Sequence, residues 1–220
     1  MEALFRQLVV GVVPQLVPPA ALPRDALQRA FLDIGEEYPY QQFQVLPGDS
    51  GAQLSNSPSD LVIMQPGVFQ VQTPVELTPE LARTKAQAIL NTVSKRLKVE
   101  NYLTCGIKVV AHVSAPGPVP DAKAFISGQV MRAGELAHEL GPNFYGGGVK
   151  YRSFSDDLSL EENLSLEPWI GDNQFIYVDF DVQRRIPFQG LGDLSAWLDD
   201  AFSFVSGPTM RVIDEQAGNS

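Results

Sequence analysis

A glutamate and a histidine at helical spacing are the first candidates for chemistry in this sequence. Glu135 and His138 stand at positions i and i+3, and Glu139 directly follows the histidine. A His-Glu pair opens the zinc motif H-E-x-x-H, in which two imidazoles on one helical face bind the metal and the glutamate acts as a general base. Pro142 stands where this motif has its second histidine. The segment therefore supplies one metal ligand and one base, and the rest of the site is missing.

The surrounding residues 135–144 resemble the zinc helix of the metzincin metallopeptidases, H-E-L-G-H-N-F-G-x-x-H. That resemblance implies a site of three histidines, the last of them beyond a glycine turn. Here Tyr145 replaces the turn glycine, Gly148 replaces the third ligand, and His112 is the other histidine of the chain. Two histidines cannot supply three ligands, so we exclude a metallopeptidase and predict neither a metal nor another cofactor. We interpret His112, on a predicted strand, as a packed or hydrogen-bonded residue.

Two carboxylates on a predicted strand form a second candidate. Asp179 and Asp181 alternate with apolar residues in segment 173–183, so both side chains lie on one face, about 7 Å apart. That separation suits a cation or an acid/base pair. It is also the ordinary pattern of a strand with one face in water, so the pair alone does not predict a site.

A glycine-rich loop gives the third candidate. Residues 144–152 place three consecutive glycines among aromatic and basic side chains. Glycine lets the backbone approach a ligand closely, but the spacings of the common phosphate-binding loops are absent. The loop is either a flexible connection into a strand or a binding loop for a peptide or a small anion. The predicted ligand-binding set from this loop and the strand is Phe144, Tyr145, Gly146, Gly147, Gly148, Lys150, Arg152, Asp179 and Asp181. No residue is predicted to be catalytic.

Composition indicates a globular protein with a substantial core. The chain has 220 residues, of which 44% are hydrophobic and 19% charged, and these proportions argue against disorder. A single cysteine, Cys105, excludes an intramolecular disulfide and a cysteine-based zinc site. The sequence shows no leader peptide and no apolar run long enough to cross a bilayer. We therefore expect a soluble protein of the cytoplasm.

Charge is unevenly distributed along the chain. The formal net charge is −10, and residues 151–220 hold thirteen acidic but only four basic side chains. An acidic surface of this kind repels phosphate backbones and anionic lipids, whereas it tolerates basic partners and cations. We therefore expect no nucleic acid and no membrane as a partner.

Hydrophobic periodicity predicts mixed helices and strands. Over residues 6–113 the order is strand, helix, strand, strand, helix, strand, as in a ferredoxin-like unit. The clearest helix begins at Thr78 as N-cap, with Pro79 behind it. Residues 115–120, rich in proline, predict a boundary. A helix, three strands and a closing helix follow over residues 121–205.

The sequence thus predicts an α+β protein with two antiparallel or mixed sheet units covered by helices. The N-terminal unit spans residues 1–114, a linker spans 115–120, an acidic C-terminal unit spans 121–208, and a tail spans 209–220. One continuous domain remains an alternative to this division.

This layout resembles a family of sporadically distributed bacterial proteins of unknown role. The resemblance is carried by Cys105-Gly106-Ile107-Lys108-Val109-Val110 after a long helix and by Ile176-Tyr177-Val178-Asp179-Phe180-Asp181 before the final helix. It implies a soluble bacterial protein and transfers no functional residue.

Two functions of different classes fit these observations. The first is a non-catalytic interaction or assembly subunit, which docks a protein partner or a second copy on an exposed strand edge or on the acidic C-terminal face. The alternative is a protein that binds a small molecule or a peptide, or an enzyme, with a pocket formed by the 144–152 loop and the acidic strand residues. We favour the first and lean against an enzyme, because no catalytic or cofactor motif is present.

Overall fold

A computed structural model describes residues 2–16, 22–75, 78–131 and 147–218 of the chain. Its strands are β1 (Ala3–Pro14), β2 (Gln42–Val45), β3 (Ala52–Ser57), β4 (Asp60–Gln65), β5 (Val68–Pro74), β6 (Asn101–Ser114), β7 (Val149–Phe154), β8 (Leu160–Pro168), β9 (Phe175–Arg184) and β10 (Phe188–Gln189). Its helices are α1 (Arg24–Glu37), α2 (Pro79–Leu97), α3 (Ala122–Ala124, continued by a π-helical turn, Phe125–Val130), α4 (Leu194–Phe204, continued by a π-helical turn, Val205–Thr209) and α5 (Met210–Gly218).

These strands form one sheet of ten antiparallel strands. The order is β2-β3-β4-β5-β1-β6-β9-β8-β7, and β10 pairs with the beginning of β6. The long strands β1 and β6 lie side by side at the centre, and an antiparallel meander extends outward from each of them. Each half of the chain therefore runs through a long strand, a helix, a meander and a second helix.

The single sheet corrects the prediction of two sheet units. Strand β1 pairs with β6 from Ala3 opposite Val113 to Pro14 opposite Tyr102, so hydrogen bonding continues across the centre without a break. The ferredoxin-like order was also wrong, because four strands lie between α1 and α2 instead of two. Hydrophobic periodicity does not predict β2 and β3 as strands, because they are short and rich in Gln, Ser and Asn, which have weak strand preference.

The helices cover one face of this sheet. Helix α2 packs against β1 and β5, α4 packs against β6, and α3 packs against β8. The side chains of Leu8, Val109 and Phe180 on this face are buried in the same hydrophobic cluster as Ile89 and Leu198 of the helices. In the described part of the chain no helix packs on the opposite side of the sheet, which we call the open face.

Helix ends follow the local sequence. The helix predicted from Thr78 is confirmed as α2, and the Thr78 hydroxyl accepts a hydrogen bond from the Leu81 backbone N–H at 3.3 Å. Residues 209–220, predicted as a tail, include α5, in which Met210 and Ile213 are buried. No helix within the described ranges is long and apolar enough to cross a membrane.

Two valines of β5 test which face is covered. Val71 is 0% exposed on the helix side, whereas Val68 is half-buried on the open face. We expect Val71→Ala to lower the free energy of unfolding by about 2 kcal/mol, because two methyl groups leave a filled core. The same change at Val68 should cost less than about 1 kcal/mol. Urea unfolding of both variants checks this, and equal losses would contradict an open face.

Candidate functional site

The open face is divided at the β1–β6 pair into two halves of different chemistry. Strand pairing places one set of side chains from β2 to β5 and β1 on this face. We call this set the uncharged half-face, and its members are Gln7, Val9, Val13, Gln42, Gln44, Gln53, Ser55, Leu61, Ile63, Gln65, Val68, Gln70 and Gln72. None of these side chains carries a charge. Arg6, the bulge residue of β1, reaches the open face at the border with the other half, where it contacts His112.

The uncharged half-face results from the alternation of apolar and polar residues along each strand. In β5 the buried residues Phe69 and Val71 alternate with Gln70 and Gln72, so the apolar members face the helices and the amides face outward. The aliphatic members of the uncharged half-face, such as Ile63, are half-buried by their neighbours in the sheet. A water-facing sheet surface of this extent ordinarily carries Lys, Glu or Asp, so the lack of charge needs an explanation.

The other half of the open face is densely charged. It comprises the outward side chains of β6 to β9, which we call the charged half-face: Lys108, His112, Lys150, Arg152, Phe154, Glu161, Asn163, Ser165, Glu167, Tyr177, Asp179, Asp181 and Gln183. In the register Asp181 lies between Asn163 of β8 and Lys108 of β6. Basic side chains of β7 therefore face acidic side chains of β9 across the small polar residues of β8.

A cavity of about 290 Å³ opens on the charged half-face. Four members of the predicted ligand-binding set line it, namely Lys150, Arg152, Asp179 and Asp181. Its other lining residues are Lys108, Glu161, Asn163, Ser165 and Gln183.

The remaining members of the predicted set do not line this cavity or lie outside the described residues. Gly147 and Gly148 precede β7, and a Cβ atom on Gly148 would come within 2.3 Å of Cγ of Glu167. The predictions for residues 144–146 and for the Glu135–His138 pair fall on residues outside those that the structure describes.

Glu161 is the centre of an ion-pair cluster that sequence reasoning missed. Its side chain is 5% exposed. It accepts hydrogen bonds from Arg152 Nε at 2.8 Å, from Asn163 Nδ2 at 3.1 Å and from Arg185. The hydrogen bond from Asn163, together with the two guanidinium groups, holds the pKa of the Glu161 carboxyl below its usual value. No signal in the sequence joins these residues, because they come from β7, β8 and the end of β9.

Asp179 and Asp181 differ although they share a strand face. Asp179 pairs with Lys108, whose Nζ lies 2.8 Å from Oδ2 of Asp179. Asp181 makes no hydrogen bond and no ion pair with the described residues. Burial raises its pKa, as do the carboxylates of Asp179 and Glu161, while the positive charges of Lys108 and Lys150 offset part of this rise. Lys150 is exposed and likewise forms no ion pair with the described part of the chain. The cavity thus contains one carboxylate and one ammonium group that have no hydrogen-bonded or ion-paired partner among the described residues.

His112 also lies on the charged half-face, four residues after Lys108 on β6 and near the end of that strand. Its ring centroid lies 4.1 Å from that of Trp169, and its Nδ1 accepts a hydrogen bond from Arg6 Nε at 3.2 Å. Burial, with the Arg6 charge, lowers the pKa of this imidazole. His112 is therefore a packed, neutral residue. Among the described residues no group of three or more His, Cys, Asp or Glu side chains is placed to hold a metal ion.

A second cavity lies on the helix side of the sheet. It has a volume of about 350 Å³ and lies between β8, β9 and α4. The rings of Phe180 and Phe204 stack in its wall with centroids 4.2 Å apart. Arg184 lies over the Trp197 ring and reaches Asp200 at 3.4 Å. This site carries two acidic side chains, Glu162 and Asp200, beside one base, so it shows no clear preference for a charged ligand.

Comparisons with known proteins leave the function to be argued from this geometry. No protein-family model matches the sequence, and a search of curated proteins finds no match. The resemblance to a bacterial family, carried by residues 105–110 and 176–181, therefore stays an expectation from sequence pattern.

Removing the charge of Asp181 tests its environment. Its folded-state pKa is raised above the unfolded value of about 3.9, so ionisation opposes folding above that pH. We expect Asp181→Asn to be more stable than the parent at pH 7. This advantage should shrink as the pH falls through the folded-state pKa towards the unfolded value. Urea unfolding at both ends of the range measures it, and a less stable variant at pH 7 would show that Asp181 has a partner.

The same measurement on Glu161 should give the opposite sign. Its folded-state pKa is lowered, so its contribution to stability is present above the unfolded pKa and disappears as the pH falls through the folded value. We expect Glu161→Gln to be less stable than the parent at pH 7 and equal to it in strong acid. A difference that persists in acid would point to lost packing instead of lost charge.

Proposed function

We propose that this chain is a non-catalytic interaction subunit that binds a partner protein on its open face. The observation that carries the proposal is the uncharged half-face, which spans five neighbouring strands and has one charged side chain, Arg6, only at its border with the charged half-face. We also propose a reducing cytoplasm as its location, which agrees with a single buried thiol, Cys105, that has no second cysteine to pair with.

The chemistry of the uncharged half-face suits the centre of a protein interface. Such centres are depleted of charged residues, because burying an unpaired charge is costly. Val9, Ile63 and Val68 offer apolar surface there, and the glutamines offer amide donors and acceptors around it. A partner that fits has an uncharged contact surface opposite this half and mixed charges opposite the other.

The open face is also large enough for a stable protein interface. Nine strands in sequence across the sheet, spaced about 4.8 Å apart, give a width of about 38 Å. Up to four outward side chains per strand, about 7 Å apart, give a height of about 20 Å. The resulting area, about 760 Å², is close to the roughly 800 Å² that each partner buries in a standard stable interface.

Other binding modes have less support. The uncharged half-face offers no cation to a phosphate backbone, and the chain carries a net charge of −10, so a nucleic acid would lack the charge contacts that dominate its affinity. Of the two edge strands, β7 carries Lys150 and Arg152, and charges of this kind discourage strand addition, whereas β2 spans only four residues. The acids of the C-terminal third are dispersed, with Asp199 and Asp200 on α4 and Asp179 on the open face, so they do not form one acidic docking surface.

A charge placed in the uncharged half-face tests the proposal. In native mass spectrometry of the gently purified protein we expect a stoichiometric complex, either with a different protein or with a second copy. Reconstituted from purified components, this complex should bind at least tenfold more weakly with Ile63→Glu, because the new carboxylate is buried without a partner. Leu32→Glu is the matched control, since Leu32 is 64% exposed on α1 of the helix layer.

Circular dichroism of both variants separates lost binding from lost folding. The proposal fails if the chain is a bare monomer that co-purifies with nothing. It also fails if Ile63→Glu binds the partner as tightly as the Leu32→Glu control.

A further inference from the structure

We propose that the cavity of the charged half-face binds a small zwitterion, a molecule of amino-acid size with one ammonium and one carboxylate group. This site goes beyond the proposed function, because it concerns a small ligand and the other half of the open face. Asp181 receives the ammonium group of the ligand, and Lys150 receives its carboxylate.

The pairing of charges within the cavity selects this ligand class. Lys108 is occupied by Asp179 at 2.8 Å, and Arg152 is occupied by Glu161. Within the cavity lining these four side chains form two compensated pairs, which favour neither an anion nor a cation, while Arg185, the second partner of Glu161, lies outside the lining. Lys150 and Asp181 remain, and a ligand that satisfies both must carry one charge of each sign.

Strand geometry sets the separation of the two charges in the ligand. Lys150 lies on β7 and Asp181 on β9, so one strand, β8, lies between them. Two interstrand spacings make about 9.6 Å, and the two-residue offset in register places the two Cα atoms about 12 Å apart. The flexible side chain of Lys150 shortens the gap between the two charged groups, so a small ligand with its two charges a few ångströms apart, such as an amino acid, bridges them.

The floor of the cavity supports a polar ligand. Ser165 lies opposite Lys150, and Asn163 lies opposite Asp181, so a hydroxyl and an amide lie between the two charges. The volume of about 290 Å³ is at the small end of ligand sites, which typically begin at about 300 Å³. A drug-sized molecule or a folded peptide is therefore too large, whereas a single amino acid fits.

The energetics of Asp181 favour ligand binding over an empty site. A half-buried carboxylate without a hydrogen-bond donor is an unfavourable group, and an ammonium group from the ligand supplies the missing partner. Lys150 stands on an exposed edge strand, level in register with Ser165 and Asp179 and not with Asp181. Its flexible side chain is therefore free to contact the carboxylate of the ligand.

Calorimetric titration of the purified chain with each standard amino acid tests this site. We expect at least one of them to bind one-to-one with a Kd of about 1 mM or below. Its N-acetyl derivative, which lacks the ammonium charge, and its amide, which lacks the carboxylate, should each bind at least tenfold more weakly. Asp181→Asn and Lys150→Met should weaken binding of the amino acid to a similar extent, while Lys98→Met, an exposed lysine after α2, leaves it unchanged.

Loss of binding by Asp181→Asn can be separated from loss of folding. This variant is expected to be more stable than the parent at pH 7, and urea unfolding of the same sample checks that it is folded. The inference is overturned if no amino acid binds up to about 10 mM, if a singly charged derivative binds as well as the zwitterion, or if both site variants bind like the Lys98→Met control. None of these results bears on partner binding by the uncharged half-face, which Ile63→Glu tests separately.

Discussion

The antiparallel pairing of β1 with β6 is the contact on which the rest of the molecule depends. It joins two meanders into one sheet, buries Val10 against Ile107 in the centre, and brings the helices of both halves to the same side. Without it each half would present a sheet edge to water, and such an edge is a site of unwanted association. Since the two halves share one sheet, their outward sides also join into a single surface.

That surface combines two kinds of chemistry. The uncharged half-face has little electrostatic character, a property that it shares with the centres of protein interfaces. The charged half-face instead holds its side chains in specific pairs around Glu161 and Lys108. Glu161 is fully paired and Asp181 is not, so the fold accepts a local loss of stability at Asp181.

The local sequence pattern predicted much of the secondary structure, but it could not predict which strands and side chains lie next to each other in the sheet. Alternation over residues 173–183 correctly places Asp179 and Asp181 on one face, since the two-residue period of a strand is a local property. The pair of Lys108 with Asp179 joins residues 71 positions apart, and no periodicity encodes such a distance. The joining of two expected sheet units into one has the same cause, because strand order is decided by long-range pairing. The charged cavity follows from strand order, so its composition could be expected only in part.

Synthesis from the ribosome gives the central strand pair a further consequence. Strand β1 is synthesised before β6, and its segment Leu8–Val13 is apolar on both sides, yet β6 begins only at Asn101. Until β6 has been made, one edge of β1 stays unpaired while β5 occupies the other. Long-range pairings of this kind form slowly, and exposed apolar edges aggregate in the meantime. The nascent chain therefore passes through an interval in which an apolar strand edge is exposed to association with other chains.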